Sequence, residues 1–320
     1  MQTIKYEVIM IDILNNINTK KKILQKLLKN NNSKKTLNEW LQLELAYTSN
    51  AIEGNTLTRK ETAIVIDEKR TSSSKPLVFY QEAVNHANAY NKIIKLVEQD
   101  SEISENDILN IHRIILSGID NDNAGFYRNC RVSIRGSRVV LPNPLKVPNL
   151  MTEFFEWLKN ADKNSPLTAI EAHYRFVKIH PFVDGNGRCA RLLMNLLLLK
   201  AGYSPIIIRT IDRKRYIDNI EKYQLTDDST SYTMFMLMSL DRSLRMCIDT
   251  IKIDETDIDY DKLLNISQFA KLVNLPVSTI RYWVKVGKLQ PVRYSDAGYM
   301  KFSKTQEKDI KAILKKSKEY

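Results

Sequence analysis

The twelve-residue run HPFVDGNGRCAR, residues 180–191, concentrates side chains that can move a proton and bind phosphate. His180 precedes a proline, which keeps it out of the α-helical region, and an imidazole with a pKa near about 6.5 can take a proton from a hydroxyl. Asp184 offers a carboxylate of the kind that binds Mg²⁺ together with substrate phosphates. Arg188 and Arg191 share one face of a helical turn, and their guanidinium groups match phosphate oxygens. The run therefore predicts acid–base chemistry on a polyphosphate.

The middle of the run predicts which backbone N–H groups face the polyphosphate. Gly185, Asn186 and Gly187 precede an apolar helix, and glycines around an αL-tolerant asparagine predict N–H groups turned inward as an anion nest. The N-terminus of the helix that follows adds positive potential at the same place. Phe182 is predicted to anchor the loop by burying its ring. Alone, a Gly-Asn-Gly segment is usually a turn, a His-Pro pair usually ends a helix, and two arginines are usually surface charge. Their combination in one run favours a functional site.

Long amphipathic stretches with little glycine predict a mainly α-helical body that positions this run. The predicted helices cover about 4–29, 36–52, 79–98, 104–117, 147–160, 167–179, 188–201 and 230–252. One segment, RVSIRGSRVVLPNP at 131–144, has two β-branched pieces around a glycine and predicts a short hairpin. An isolated hairpin needs a surface to pack on, so this segment is interpreted as a flap over a site, with an ordinary surface loop as the alternative.

The composition bounds the architecture and the compartment. The 320 residues suggest about two domains. No apolar run reaches the roughly 18 residues of a membrane span, and the first thirty residues are patterned as an amphipathic helix rather than a leader. Three cysteines at positions 130, 189 and 247 are too few and too far apart for a disulfide framework. We therefore expect a bacterial cytoplasmic protein without membrane contact.

Charge is concentrated at the end of the chain. Residues 261–320 hold 13 Lys and Arg against 5 Asp and Glu, which is +8 of the total net charge of +12. A basic terminal domain favours nucleic-acid contact, although a lysine-rich solvated surface gives the same count. The pattern changes predict four regions: an N-terminal helical region at 1–110, a core at 111–252, a linker at 253–262 and a small domain at 263–320.

The run at 180–191 resembles the signature of the Fic family, HPFx[DE]GNGRxxR, at every fixed position. The resemblance implies a Fic-type helical core with a small β-hairpin flap at about 131–143, and transfer of AMP from ATP to a Ser, Thr or Tyr hydroxyl of a protein, with pyrophosphate as the leaving group. It also implies roles. His180 would be the general base, Asp184 the Mg²⁺ ligand, and Gly185 to Gly187 the phosphate cradle. Arg188 and Arg191 would bind the β- and γ-phosphates of ATP.

A second motif lies upstream, in the stretch TSNAIEGNTLT that closes a predicted helix. Gly54 stands at a helix C-cap position, yet Glu53 places a carboxylate at the negative end of the helix dipole. Ser49 to Gly54 resembles the family's inhibitory motif, [ST]xxxE[GN], which class II members carry on an N-terminal helix, here at about 36–54. We predict that Glu53 forms a salt bridge with Arg191 and blocks productive ATP binding. There are two alternatives: Glu53 is a solvated surface residue, or it activates water for the removal of AMP.

The last sixty residues resemble a MerR-like winged helix-turn-helix, with helices at about 266–273, 277–286 and 303–316. In DNA-binding relatives the second helix enters the major groove. Candidate DNA contacts on that helix and on the wing are Ser278, Thr279, Arg281, Tyr282, Lys285, Arg293 and Tyr294. Docking of a target protein or dimerisation is the alternative use of such a module.

Together these features predict an auto-inhibited protein adenylyltransferase that uses ATP and Mg²⁺. Its target is a protein, and the targets considered include the enzyme itself. Two alternatives stay open: a DNA-binding regulator whose Fic core senses a nucleotide, and an enzyme that removes AMP. The target, the nucleotide base and the assembly into a homo-oligomer are left open by the sequence.

Overall fold

The computed structural model describes residues 2–68, 70, 75–99, 102–254, 263–285, 288–289, 291, 293–294 and 300–316. It divides into two compact units, Met1–Ile248 and Asp249–Tyr320. The predicted linker at 253–262 lies almost wholly outside the described residues. No helix in the described ranges is both long and apolar enough to cross a bilayer.

The first unit is built of α-helices, as predicted. They are α1 Gln2–Leu27, α2 Asn31–Ile52, α3 Arg59–Glu68, α4 Leu77–Glu98, α5 Glu105–Leu116, α6 Val147–Asn160, α7 Pro166–Ile179, α8 Asn186–Lys200, α9 Arg213–Thr226 and α10 Thr230–Asp254, which runs on into the second unit. All but one of the helices predicted in this unit begin and end within two residues of their predicted bounds. The exception, α2, begins five residues early because the Asn30 side chain accepts a hydrogen bond from the Asn32 N–H and caps it.

Two helices of this unit, α3 and α9, were not predicted. Both are rich in charged residues, and few of their side chains are buried, so the apolar spacing that marks an amphipathic helix is weak. The omission of α9 matters because this helix contributes side chains to the site described below.

Helix α8 is the centre of the first unit. Its side chains from Arg188 to Leu198 are all buried, and it packs against α7, α4, α5 and α2. A helix that is buried all round must place its polar residues against partners from its neighbours. The two arginines near its N-terminus, Arg188 and Arg191, therefore have their positions set by the helices around them.

The segment at 131–143 forms a turn but no strand, so the predicted hairpin ladder is absent from these residues, all of which the structure describes. The turn is where it was predicted: the Ser137 N–H donates to the Ile134 carbonyl at 3.0 Å, and Gly136 takes φ +78°. The two sides are joined by a side chain instead. Arg128 donates to the carbonyls of Cys130 at 3.2 Å and Pro142 at 2.7 Å.

The second unit is a small α/β fold of the winged helix-turn-helix type. Its elements are β1 Leu264–Asn265, α11 Ile266–Leu272, α12 Val277–Lys285, β2 Arg293–Tyr294, β3 Met300–Phe302 and α13 Glu307–Lys316. The strands form an antiparallel sheet in the order β1–β3–β2, with Leu264 opposite Phe302 and Arg293 opposite Lys301. Phe269 of α11 stacks on Phe302 at 4.6 Å between ring centroids, which fixes the first helix on the sheet.

Candidate active site

The loop between α7 and α8 begins at His180, which leaves the helical region as predicted. Its backbone is left-handed, with φ 52° and ψ 60°, while its N–H still donates to the Phe176 carbonyl at 2.9 Å. A non-glycine residue in this conformation persists only when its surroundings hold it. Arg128 does so, since its Nε donates to the His180 carbonyl at 2.8 Å and its backbone N–H to the Pro181 carbonyl at 2.9 Å. Arg128 thus ties the 131–143 segment to the His180 loop.

Phe182 anchors this loop, as predicted. Its ring is fully buried and stacks on the His112 ring of α5 at 3.6 Å between centroids. His112 in turn accepts the Gly125 N–H at Nδ1, 2.9 Å away, so its Nε2 carries the proton and donates to the Asp184 carbonyl at 3.0 Å. The loop is therefore held through its ring and its backbone at once.

Asn186, which lies between the two glycines predicted to form an anion nest, is not left-handed. Only Gly185 has a positive φ, +77°, whereas Asn186 already begins α8. The Asn186 side chain closes the loop instead: its Oδ1 accepts the Phe182 N–H at 2.8 Å, and its Nδ2 donates to the Phe182 carbonyl at 2.9 Å. The anion-attracting feature is the N-terminus of α8, whose first N–H groups have no partners within the helix.

Arg188 is buried between two carboxylates. Its guanidinium donates to Glu82 of α4 and to Asp184, each at 3.0 Å, and only 3% of the side chain is exposed. Asp184 is 65% exposed, and its other oxygen accepts the Gly185 N–H at 2.6 Å. An exposed carboxylate held beside an arginine has the chemistry of a Mg²⁺ ligand that shares the cation with phosphate oxygens and water.

Arg191 forms the predicted salt bridge with Glu53, with Nη2 2.6 Å from Oε1. The same guanidinium donates to the Ser49 hydroxyl at 2.9 Å and to the Ser49 carbonyl at 3.0 Å. Helix α2 ends at Ile52, and Gly54 follows Glu53 with φ +101°, so the chain turns away just after the carboxylate. The negative charge of Glu53 is unfavourable at the C-terminus of α2, and the positive charge of Arg191 compensates for it.

Gly187 is what allows Glu53 to come so close to α8. A Cβ atom at position 187 would lie 2.4 Å from Glu53 Oε1 and 3.1 Å from Arg191 Nη1. The carboxylate therefore rests directly on the first turn of α8, where the helix dipole is positive. Glu53 occupies the place that favours an anionic ligand.

Several residues that complete the site were not found from the sequence. Arg213 of α9 donates to the Ile52 carbonyl at 2.6 Å and so satisfies the end of α2. Tyr216, one turn along α9, is buried near Arg191: burial raises the pKa of its hydroxyl, and the charge of Arg191 acts in the opposite direction. No motif marks these residues because each acts across helices distant in sequence. The missed set is Glu82, His112, Arg128, Arg213 and Tyr216.

Burial sets the proton state of His180. It lowers the pKa of the ring to about 4 against the opposing effect of the Val177 backbone. Arg128 lowers this pKa further, and Glu53 and Asp184 raise it by smaller amounts. The imidazole is therefore neutral at pH 7, which is the form that accepts a proton.

The candidate DNA contacts divide into described and undescribed residues. Ser278, Arg281 and Tyr282 are exposed on α12, and Thr279 is half-buried. The side chains of Lys285, Arg293 and Tyr294 lie outside the described residues.

Comparison with known proteins agrees with this geometry. Residues 102–198 match the model of the Fic/DOC family. The chain carries a Fic domain. Residues 265–302 match the model of the MerR family regulatory proteins.

The Fic domain is similar to proteins of several organisms. The chain is 39% identical over 173 residues to the protein adenylyltransferase Fic of Drosophila grimshawi, covering 53% of this chain and 35% of that one. It is 38% identical over 180 residues to the protein of the same name from Nematostella vectensis, covering 55% and 42%. The chain thus spans less than half the length of these relatives. A solved Fic domain-containing signaling protein from Bacteroides thetaiotaomicron superposes with a TM-score of 0.67 at 29% identity, covering 74% of this chain and 97% of that one.

Proposed function

We propose that this protein is a protein adenylyltransferase that transfers AMP from ATP to a hydroxyl side chain of a protein. The observation that carries the proposal is the buried pair Arg188 and Arg191 at the N-terminus of α8, beside a neutral His180 and an exposed Asp184. The naming of its relatives as protein adenylyltransferases supports the same reaction.

In the proposed reaction the target hydroxyl gives its proton to His180 as its oxygen bonds to the α-phosphorus of ATP. The bond from that phosphorus to the oxygen bridging to the β-phosphate breaks, and pyrophosphate leaves. Arg188, Arg191 and the N-terminus of α8 bind the phosphates and stabilise the charge that develops on them. Mg²⁺ held by Asp184 would neutralise phosphate charge when bound. The chain's own contribution is positioning and proton transfer, and the 131–143 segment presents the target backbone.

The Glu53–Arg191 ion pair is proposed to keep the enzyme inactive. It occupies the guanidinium that would bind the terminal phosphate of ATP and places a negative charge where that phosphate would lie. Withdrawal of the end of α2 is then the activating step.

Intact-mass spectrometry tests both proposals. The full chain and its Glu53→Gly and His180→Ala variants are incubated with Mg²⁺ and each nucleoside triphosphate in turn. We expect Glu53→Gly to gain the mass of one or more AMP groups on itself or on an added target, and His180→Ala to gain none. No gain with any nucleotide contradicts the transfer reaction, and equal gain by wild type and Glu53→Gly contradicts the inhibition. Loss of AMP from a pre-modified target would identify the reverse activity.

We also propose that the second unit binds DNA through α12. The exposed Ser278, Arg281 and Tyr282 support this, together with the net charge of +8 over 261–320. In a gel-shift assay with the full chain, Arg281→Ala should weaken a salt-sensitive complex, whereas Lys308→Ala, at an exposed position on α13, should change it less. A complex that is absent even at low salt favours protein docking instead.

The cytoplasm is the proposed compartment, because three cysteines far apart in the sequence do not suggest a disulfide framework.

A further inference from the structure

The turn at the tip of the 131–143 segment is held on α9 by one carboxylate. Glu221 Oε1 accepts the Ser137 hydroxyl at 2.9 Å and the Arg138 N–H at 3.0 Å. The Ser137 oxygen accepts the Val139 N–H at 3.2 Å, so the next backbone donor is satisfied as well. The hydrogen bonds from the Arg138 N–H and the Ser137 hydroxyl lower the pKa of Glu221, so the carboxylate is charged at pH 7. A charged acceptor forms stronger hydrogen bonds than a neutral one.

The other end of the segment is held by Arg128. Its guanidinium donates to the Pro142 carbonyl at 2.7 Å and to the His180 carbonyl at 2.8 Å. Pro142 has no N–H, and its carbonyl is already bonded, so a partner finds little to pair with at this residue. The shared guanidinium places the end of the segment beside the His180 loop.

Between these two attachments lies a short stretch of backbone that is open. In the part of the chain that the structure describes, the N–H and C=O groups of Val140 and Leu141 form no hydrogen bonds. Side-chain exposure alternates over 137–141, with Arg138 and Val140 exposed and the residues between them half-buried, as along an extended strand. An extended backbone with free N–H and C=O groups is an edge on which a second extended segment can pair.

The shape of this edge depends on the two side chains that hold it, because the 131–143 segment has no ladder of its own. Arg128 also bonds the His180 loop, whereas the hydrogen bonds of Glu221 go only to Ser137 and Arg138. Loss of the Glu221 carboxylate would therefore loosen the turn without disturbing His180. A loosened segment must be ordered each time a partner binds, and this loss of conformational entropy weakens binding.

We propose that Glu221 is a positioning residue for the protein target: from α9 it holds the segment extended, with the backbone of Val140 and Leu141 open to an extended stretch of the target beside His180. This rests on the proposed function, because only a transferase needs a target hydroxyl at His180. The class of substrate follows from the edge. The modified hydroxyl belongs to an extended or flexible stretch of a protein rather than to a helix, whose backbone groups are already paired.

The test uses full chains that carry Glu53→Gly, alone or with Glu221→Ala, Glu221→Gln or Asp218→Asn. Asp218 is the matched control, since it is an exposed carboxylate one turn earlier on α9 and pairs with Lys214. The acceptor is the full chain with His180→Ala, labelled with a heavy isotope so that its mass separates from that of the enzyme. A transfer assay gives the KM for this acceptor and for ATP. Hydrogen–deuterium exchange at single-residue resolution follows the amides of 138–141.

We expect Glu221→Ala to raise the KM for the acceptor about fivefold, the effect of losing one hydrogen bond, and to leave the KM for ATP unchanged. The amides of 138–139 should exchange more slowly than those of 140–141 in the parent chain and equally fast in this variant. Glu221→Gln keeps an acceptor oxygen of the same reach, so it should restore most of the affinity. Asp218→Asn should behave as the parent chain does.

Proline substitutions locate the pairing on the edge. Val140→Pro and Leu141→Pro each remove one free N–H, whereas Val140→Ala and Leu141→Ala keep it. One residue of an antiparallel pair exchanges both bonds with its partner, so at least one proline variant should have a higher KM for the acceptor than its alanine counterpart. If neither does, the open backbone is not where the target binds and the inference is overturned.

The remaining outcomes separate this inference from the proposed activity. Equal KM for the acceptor in Glu221→Ala and Asp218→Asn overturns the inference, and so does an equal rise in the KM for ATP, which would mean general damage to the site. If no chain transfers AMP, the activity is contradicted and the exchange data decide: faster exchange at 138–139 in Glu221→Ala alone supports the positioning of the segment, and unchanged exchange overturns it. If thermal melts show that Glu221→Ala does not fold, Ser137→Ala, which removes one of the two donors, replaces it.

Discussion

Arg188 and Arg191 lie one turn apart on α8, both nearly buried, yet their surroundings differ in one respect. Arg188 pairs with Glu82 of α4 and with Asp184 of its own loop. Arg191 pairs with Glu53, which follows the last residue of α2. A buried guanidinium without a counter-charge is costly, so each arginine needs an anion at all times. The function of each is therefore decided by whether its anion can be exchanged.

Glu82 is a fixed partner and Glu53 an exchangeable one. Glu82 is 15% exposed, and its second oxygen accepts the Asn55 side-chain amide at 2.8 Å. Glu53 is 36% exposed and stands at a helix end followed by a glycine. Under the proposed function, an incoming phosphate would replace Glu53 at Arg191 while Glu82 keeps Arg188 in place. In this proposal, two arginines one turn apart on α8 differ in function: Arg188 gives structural support and Arg191 is part of a switch.

Neutralising the two glutamates in turn should have opposite effects, and this is the largest difference that we predict. Glu53→Gln keeps the shape of the side chain and removes the ion pair, so AMP transfer, measured as incorporation from α-labelled ATP, should rise by about tenfold or more. Glu82→Gln leaves Arg188 without one of its carboxylates and should lower transfer in the Glu53→Gln background. Activation by Glu82→Gln of the wild-type chain would show that the two arginines do not differ.

Weakening the end of α2 without touching its carboxylate should give a smaller activation. Arg213 donates to the Ile52 carbonyl, and a cation at a helix C-terminus is worth about 1 kcal/mol at most in exposed settings. Arg213→Ala should therefore raise transfer by up to about fivefold, less than Glu53→Gln. Lys214→Ala is the control, since that side chain is exposed and pairs with Asp218 on its own helix. If Lys214→Ala raises AMP transfer as much as Arg213→Ala does, the Arg213 contact of α9 with the end of α2 does not contribute to inhibition.

The sequence predicted those parts of the site whose contacts are local or whose charges conflict with their helices. His180 leaves its helix because of the next residue, and Phe182 is an apolar residue within a polar loop. The Glu53–Arg191 ion pair was predictable because each charge is unfavourable at its own helix end and favourable at the other's. In these cases the physical requirement is visible within a few residues.

What the sequence did not reveal depends on contacts between distant segments. The role of Asn186 as a clamp on Phe182 requires the tight loop to be known, and Glu82 carries no mark that distinguishes it from a surface glutamate on an amphipathic helix. Arg128 replaces the hydrogen-bond ladder expected at 131–143 by reaching carbonyls on both sides of the segment. A side chain of this kind acts on the backbone, so residue patterning does not predict it.

His86 of α4 tests what Arg188 and Arg191 have in common, because both buried positive charges act on its ring. It is 1% exposed and lines a cavity of about 10 Å³ with Arg191, Ser49 and Ile52. Burial lowers its pKa to about 3, with Arg191 and then Arg188 acting in the same direction. Its pKa in the unfolded chain is near the ordinary value of about 6.5, so between these values the unfolded state binds more protons. Stability from this residue is present above about pH 6.5 and is lost as pH falls toward 3.

The expected slope at pH 5 is roughly 1.4 kcal/mol of unfolding free energy per pH unit from His86. Urea titrations of wild type and His86→Gln at pH 7, 6 and 5, followed by tryptophan fluorescence, measure it. The variant should lose less stability than wild type on acidification, because glutamine does not titrate, whatever its stability at pH 7. Parallel pH dependences for the two proteins would mean that His86 is protonated in the folded state despite Arg188 and Arg191. Glu82 and Glu53 would then neutralise the two buried guanidinium charges more strongly than their geometry indicates.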